Sequence, residues 1–121
     1  MKLDGNLIIA GEARDPETKR TRAVSPLDGS ALPTGFASAR ESDVDDACTA
    51  GADAWPAYRR LEPAARAGFL RAIATQIEAL GDELITRCRL ETGLPEGRLT
   101  GERARTCNQL RLFADLIEEG S

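Results

Sequence analysis

The chain carries three cysteines, Cys48, Cys88 and Cys107, and no histidine. Without histidine it lacks the commonest general base and the commonest metal ligand. The cysteines are far apart, odd in number and form no C-x-x-C pair, so neither a zinc site nor a dithiol redox site is indicated. Each falls near the apolar face of a predicted helix and reads as a buried structural thiol. The adjacent carboxylates Asp45-Asp46, Asp82-Glu83 and Glu118-Glu119 project in different directions from helices and read as solvated helix ends. Arg98, Arg103 and Arg105 form a small cationic group. It serves either helix solubility or an anion site, since arginine can hold a carboxylate in a fork. There is no G-x-G-x-x-G, no P-loop and no nucleophile elbow. The residues alone give no catalytic constellation.

The elements that must position these groups are mostly helical. In Pro63–Pro95 the apolar residues Leu70, Ile73, Ile77, Leu80, Leu84 and Cys88 recur every three or four positions, which keeps them on one helix face. Pro63 suits a first helical turn, Gly81 divides the stretch into two helices, and Gly93 and Pro95 end it. Ser42 is the expected N-cap of an earlier helix, with Asp45 three residues on. That helix carries Val44, Ala47, Cys48, Gly51, Trp55 and Tyr58 on one face, and Pro56 interrupts or ends it. A last helix is expected from about Gly101 to Glu118, with Ala104, Cys107, Leu110, Phe113, Ala114 and Ile117 as its stripe. Upstream, Asn6–Ala10 and Thr21–Val24 read as strands able to form a hairpin with a long loop. Ser25–Ser30 is a turn, and a third extended piece runs from Ala31 to Ala39.

The 121 residues suit one modest domain, with 41% hydrophobic, 30% charged and only 4% aromatic residues. A formal charge of −4, with arginines interleaved among acids, argues against a nucleic-acid surface. The N-terminal apolar run is too short for a signal peptide or membrane span, and a reducing cytoplasm is the expected compartment. The expected partition is residues 1–40 as strands and 41–121 as a helical segment, together one incomplete domain. Its strands and amphipathic helices have too little to cover them, as in part of a larger layered domain.

In order and spacing, these blocks resemble the N-terminal portion of the NAD(P)-dependent aldehyde dehydrogenase superfamily. NLIIAGE is similar to the family's opening strand, usually F-I-N-G-E. SPLDGS sits where the family has an N-P-x-T-G turn. AWPAYRRLEPAARAGFLRAIATQIEALGDELITRCRLETGLP resembles its first two helices through the L-E-T-G-K-P signature. GERARTCNQLRLFADLI resembles the next helix, most like enzymes that oxidise α-ketoglutarate semialdehyde, with related long-chain and succinate-type enzymes as the alternatives. Ser25, Asp28 and Leu94 depart from the usual Asn, Thr and Lys.

The resemblance implies an α/β family fold of which this chain is an N-terminal part, mainly α by itself with two or three short strands. It implies NAD or NADP as cofactor of the complete enzyme, and none for this portion. It places the catalytic cysteine, glutamate and oxyanion asparagine, with the dinucleotide motifs, downstream. The expected partners are the remainder of the enzyme or a homo-oligomer, with an aldehyde as substrate of the whole, no nucleic acid and no membrane. The resemblance places Glu91 and the Val24 carbonyl at a monovalent-cation position, against the reading of Glu91 as a solvated or salt-bridged helix end. It also places Arg105, with Arg103 beside it, toward an aldehyde tunnel, where a guanidinium would select acidic aldehydes. The competing reading pairs Arg105 with Glu102 or Asp115. For the chain as a whole, the alternative to an inactive enzyme portion is a stand-alone helical interaction module.

Overall fold

A computed structural model describes residues 3–120. Four strands precede four helices: β1 (Leu7–Ile9), β2 (Glu12–Arg14), β3 (Arg20–Val24), β4 (Ala31–Ala37), α1 (Glu41–Tyr58), α2 (Pro63–Ala79), α3 (Gly81–Thr92) and α4 (Glu96–Glu119). The chain divides into two units between Arg59 and Arg60, so α1 groups with the strands.

In the first unit the strands make two separate antiparallel hairpins, β1–β2 and β3–β4. The expected pairing of the first apolar strand with Thr21–Val24 is therefore wrong, and a fourth strand lies in what reads as polar loop. The reason is local. Ile9 pairs with Glu12 across Ala10 and Gly11, whose φ angles are 53° and 83°. Positive φ at both positions is the tight hairpin turn whose twist matches the strands. Alanine at the first position hides that turn from composition. The β3–β4 hairpin turns through Ser25–Ser30: the Ser25 amide donates to the Ser30 carbonyl and the Gly29 amide to the Ser25 carbonyl, both at 2.8 Å. Before β1, Gly5 is pressed against β4. A Cβ built there would lie 2.1 Å from the Gly35 carbonyl oxygen, and its φ of 70° already favours glycine.

Helix α1 begins at Glu41, with Arg40 as N-cap, rather than at Ser42. Asp43, not Asp45, closes the cap: its carboxylate accepts from the Arg40 amide at 2.9 Å and from the Arg40 guanidinium at 3.0 Å. It also accepts from Arg14 at 3.2 Å, which ties β2 to the helix start. Asp43 is wholly buried, and these bonds, first those from Arg40, hold its carboxyl well below the usual carboxylate range. Pro56 stays inside α1, within its last turn. The expected apolar face of α1 lies open, Val44, Cys48 and Trp55 included, so Cys48 is not a buried thiol.

In the second unit, Gly81 does separate α2 from α3, with a φ of 58°. Gly93 ends α3 in the left-handed conformation. Pro95 stops nothing further: it is the N-cap of α4, which starts at Glu96, earlier than expected. Proline lacks the N–H that a helix start leaves unpaired anyway. Gly97 and Gly101 are accepted within α4, where an added Cβ would meet nothing. The core is a seam between α2 and α4 built from small residues. Ala67, Ala74, Cys107 and Ala114 are each 0% exposed. Leu70, Ile73 and Ile77 of the expected stripe are only half-buried at its margin, and Leu80 is exposed. Small side chains let the helix backbones approach closely, and the Cys107 thiol lies 3.6 Å from the Ala74 carbonyl oxygen. Among the described residues no helix is long and apolar enough to cross a membrane.

Candidate functional site

The α2–α4 pair runs antiparallel and is laced by ion pairs on its flanks. Arg71 reaches Glu118 and Asp115, each at 2.7 Å. Arg111 meets Glu78 through two hydrogen bonds of 2.6 and 2.8 Å. The Arg111 fork draws the Glu78 carboxyl below its usual range, and Arg71 does the same to Glu118.

These bonds account for most arginines of α4. Arg98 pairs with Glu102 at 3.0 Å. Arg103 donates to the Gly81 carbonyl at 2.8 Å, satisfying an acceptor at the α2–α3 break. Arg105 stands apart. Its expected competitors for salt bridging, Glu102 and Asp115, are taken by Arg98 and Arg71. Its side chain has no hydrogen-bond or ion-pair partner among the described residues. The cationic group of the sequence is thus dispersed, and one guanidinium is left unspent.

That guanidinium lies on a groove of about 780 Å³ along α4. Leu70 of α2 with Leu110, Phe113 and Ile117 of α4 form its apolar wall, and Glu102, Arg105, Thr106 and Gln109 its polar border. Arg105 and Gln109 are one turn apart, so both face the same opening. Leu110, Phe113 and Ile117 appear in the sequence only as core stripe, and Gln109 is not singled out there. The usable signal is that Arg105 and Gln109 flank the stripe at helical spacing. An apolar trough with a single free guanidinium and an amide can hold a short aliphatic chain that ends in an anion.

Glu91 and Val24, the other two site residues, belong one to each unit. The Glu91 carboxylate accepts from Arg87 at 2.6 Å within α3. Val24 ends β3 and pairs with Ala31. Among the described residues there is no cluster of three or more acidic, cysteine or histidine side chains able to hold a metal ion.

Residues 13–121 match the model of the aldehyde dehydrogenase family. The chain belongs to the aldehyde dehydrogenase family. It is 47% identical to alpha-ketoglutaric semialdehyde dehydrogenase 2 of Azospirillum brasilense, over 99% of this chain and 23% of that protein. It is 46% identical to alpha-ketoglutaric semialdehyde dehydrogenase of Acinetobacter baylyi, over 73% of this chain and 17% of that protein. Among solved structures it superposes on PnpE in complex with nicotinamide adenine dinucleotide with a TM-score of 0.84 and 34% identity, covering 94% of this chain and 24% of that one. The chain therefore spans about a quarter of the length of the relatives it matches.

The helix starts of this aldehyde dehydrogenase family member do not fit the pyrophosphate of a dinucleotide. A pyrophosphate is usually held at a helix N-terminus by free amides and the positive end of the dipole. Here every helix start carries a carboxylate: Glu41 and Asp43 on α1, Glu62 before α2, Asp82 and Glu83 on α3, and Glu96 on α4. No cofactor chemistry is assigned to these residues.

Proposed function

We propose that this chain supplies the N-terminal portion of an NAD(P)-dependent aldehyde dehydrogenase that oxidises α-ketoglutarate semialdehyde to the dicarboxylate, and that it has no activity by itself. The observation that carries the reading is the free Arg105 on an apolar groove, in a segment close to two α-ketoglutaric semialdehyde dehydrogenases. An aldehyde whose far end is a carboxylate needs a cation there. Arg105 supplies it through two parallel hydrogen bonds, and the apolar wall receives the methylenes. Arg103 acts from behind, fastening α4 to the α2–α3 break through Gly81. The nicotinamide nucleotide and the catalytic groups belong to other portions of the complete enzyme, which works in the cytoplasm. That remainder, or a second copy of the chain, covers the open apolar side chains, among them Ile8 at 79% and Val24 and Leu112 each at 59% exposed. Such burial is worth about 1.5–3 kcal/mol for each large side chain.

A charged hydrogen bond of this kind contributes about 1.5–3 kcal/mol, or about ten- to a hundredfold in specificity. The test is Arg105→Ala in a complete enzyme carrying this segment, assayed on an acidic and a neutral aldehyde of equal length. A selective loss of kcat/KM on the acidic aldehyde is expected. An equal change on both removes the specificity role. The Glu91 carboxylate supplies an oxygen ligand to a monovalent cation in the complete enzyme, since hard cations take oxygen ligands. Glu91→Ala should then abolish any stabilisation by sodium or potassium over a bulky organic cation. Unchanged ion dependence counts against that role.

A further inference from the structure

The side chain of Gln109, like that of Arg105, has no hydrogen-bond partner among the described residues. The other polar members of the groove are engaged: Thr106 donates to the Glu102 carbonyl at 3.0 Å, and Glu102 holds Arg98. Gln109 is four residues beyond Arg105 on α4. Side chains at that spacing have Cβ atoms about 5–6 Å apart on the same face. The groove therefore offers two unspent polar heads side by side, a guanidinium and a carboxamide, above Leu110 and Phe113. A simple ω-aldehyde acid would use only the first. A 2-oxo acid would use both.

We propose that Gln109 is a specificity residue that reads the 2-oxo group of the substrate, so that the groove selects 2-oxo acid aldehydes over plain acid aldehydes. The inference rests on the reading of this groove as the seat of the aldehyde's acidic end. The carboxylate meets the Arg105 fork. The ketone oxygen, one carbon along, accepts from the Gln109 amide NH₂. A ketone has acceptors and no donor, so the complementary group must donate, and the carboxamide is the only uncommitted side-chain donor beside Arg105 on this groove. In a methylene analogue the same amide is left without its partner while the substrate covers it, which penalises that analogue.

The experiment uses a complete aldehyde dehydrogenase carrying this segment and three aldehydes of equal chain length: 2,5-dioxopentanoate, 5-oxopentanoate and pentanal. Methionine matches glutamine in length, favours helix and has no N–H. Gln109→Met should lower the ratio of kcat/KM for 2,5-dioxopentanoate over 5-oxopentanoate by about three- to tenfold, the worth of one neutral hydrogen bond. It should also narrow the preference for 2-oxoglutarate over glutarate as inhibitor by a similar factor. An unchanged ratio in both measurements overturns the assignment of Gln109. Arg105→Ala in the same enzyme separates the two ideas. If it depresses both acids relative to pentanal while Gln109→Met leaves the ratio alone, the groove reading survives and the Gln109 inference falls. If it changes all three aldehydes equally, the groove does not seat the acid and both fall.

Discussion

Ala74→Leu tests the reasoning about the core most directly. Ala74 is 0% exposed, and its carbonyl oxygen lies 3.6 Å from the Cys107 thiol on the facing helix. Leucine adds an isopropyl group to a seam with no room for it. If α2 and α4 could part freely, the extra apolar burial would return about 2 kcal/mol. They cannot part freely. Separation stretches the Arg71 pairs with Asp115 and Glu118 and the Arg111 pair with Glu78, and opens the contacts of Ala67, Cys107 and Ala114. Overpacking of a well-filled core costs about 1–3 kcal/mol. In amide hydrogen exchange limited by local opening, that cost reads as about five- to 150-fold faster exchange in the middle of α2 and α4. Ala72→Leu, on the exposed side of the same helix, is the control and should stay within about 0.5 kcal/mol of the parent. Equal or slower exchange in Ala74→Leu, with the control unchanged, would refute the close-packed seam.

Two further outcomes concern the first unit. Asp43 is held below the ordinary carboxylate range by Arg40 and then Arg14, so its contribution to stability is fully present above about pH 4 and is lost as pH falls through the native value. Exchange protection at the start of α1 and in β2 should therefore decline in acid, and Asp43→Asn should remove most of that decline; an identical acid profile in the variant would show that another group controls it. Gly5→Ala should disrupt the packing of the N-terminal segment on β4, because its Cβ would fall 2.1 Å from the Gly35 carbonyl oxygen at a φ of 70°. The left-handed backbone alone costs a non-glycine residue about 1–2 kcal/mol, and chemical shifts of β4 that match the parent would contradict the close approach.

The sequence by itself determined the helices, because periodicity and punctuation are local. The apolar spacing from Leu70 to Cys88, the break at Gly81 and the stop at Gly93 follow from a helix of 3.6 residues per turn and from glycine's access to positive φ. It also determined the family, since the order of LIIAGE, SPLDGS and LETGLP is a linear property. Only the tertiary structure decided which residues meet. The stripe residues Leu70, Ile73 and Ile77 look like the core, yet closest approach falls to Ala67, Ala74, Cys107 and Ala114, because the distance between two helices is set by the smallest side chains at their crossing. The β1–β2 hairpin was hidden because its turn uses Ala10, and the start of α1 because its cap is made by Arg40, outside the usual N-cap residues, whose amide and guanidinium both donate to Asp43. The same holds for the groove. Arg98, Arg103 and Arg105 are equivalent as letters, and Arg105 is free because Glu102 and Asp115 are already bound to Arg98 and Arg71, one of them from a different helix. The Arg98–Glu102 pair has i, i+4 helical spacing and is legible along the chain, but the hold of Arg71 on Asp115 joins two helices and belongs to the folded arrangement.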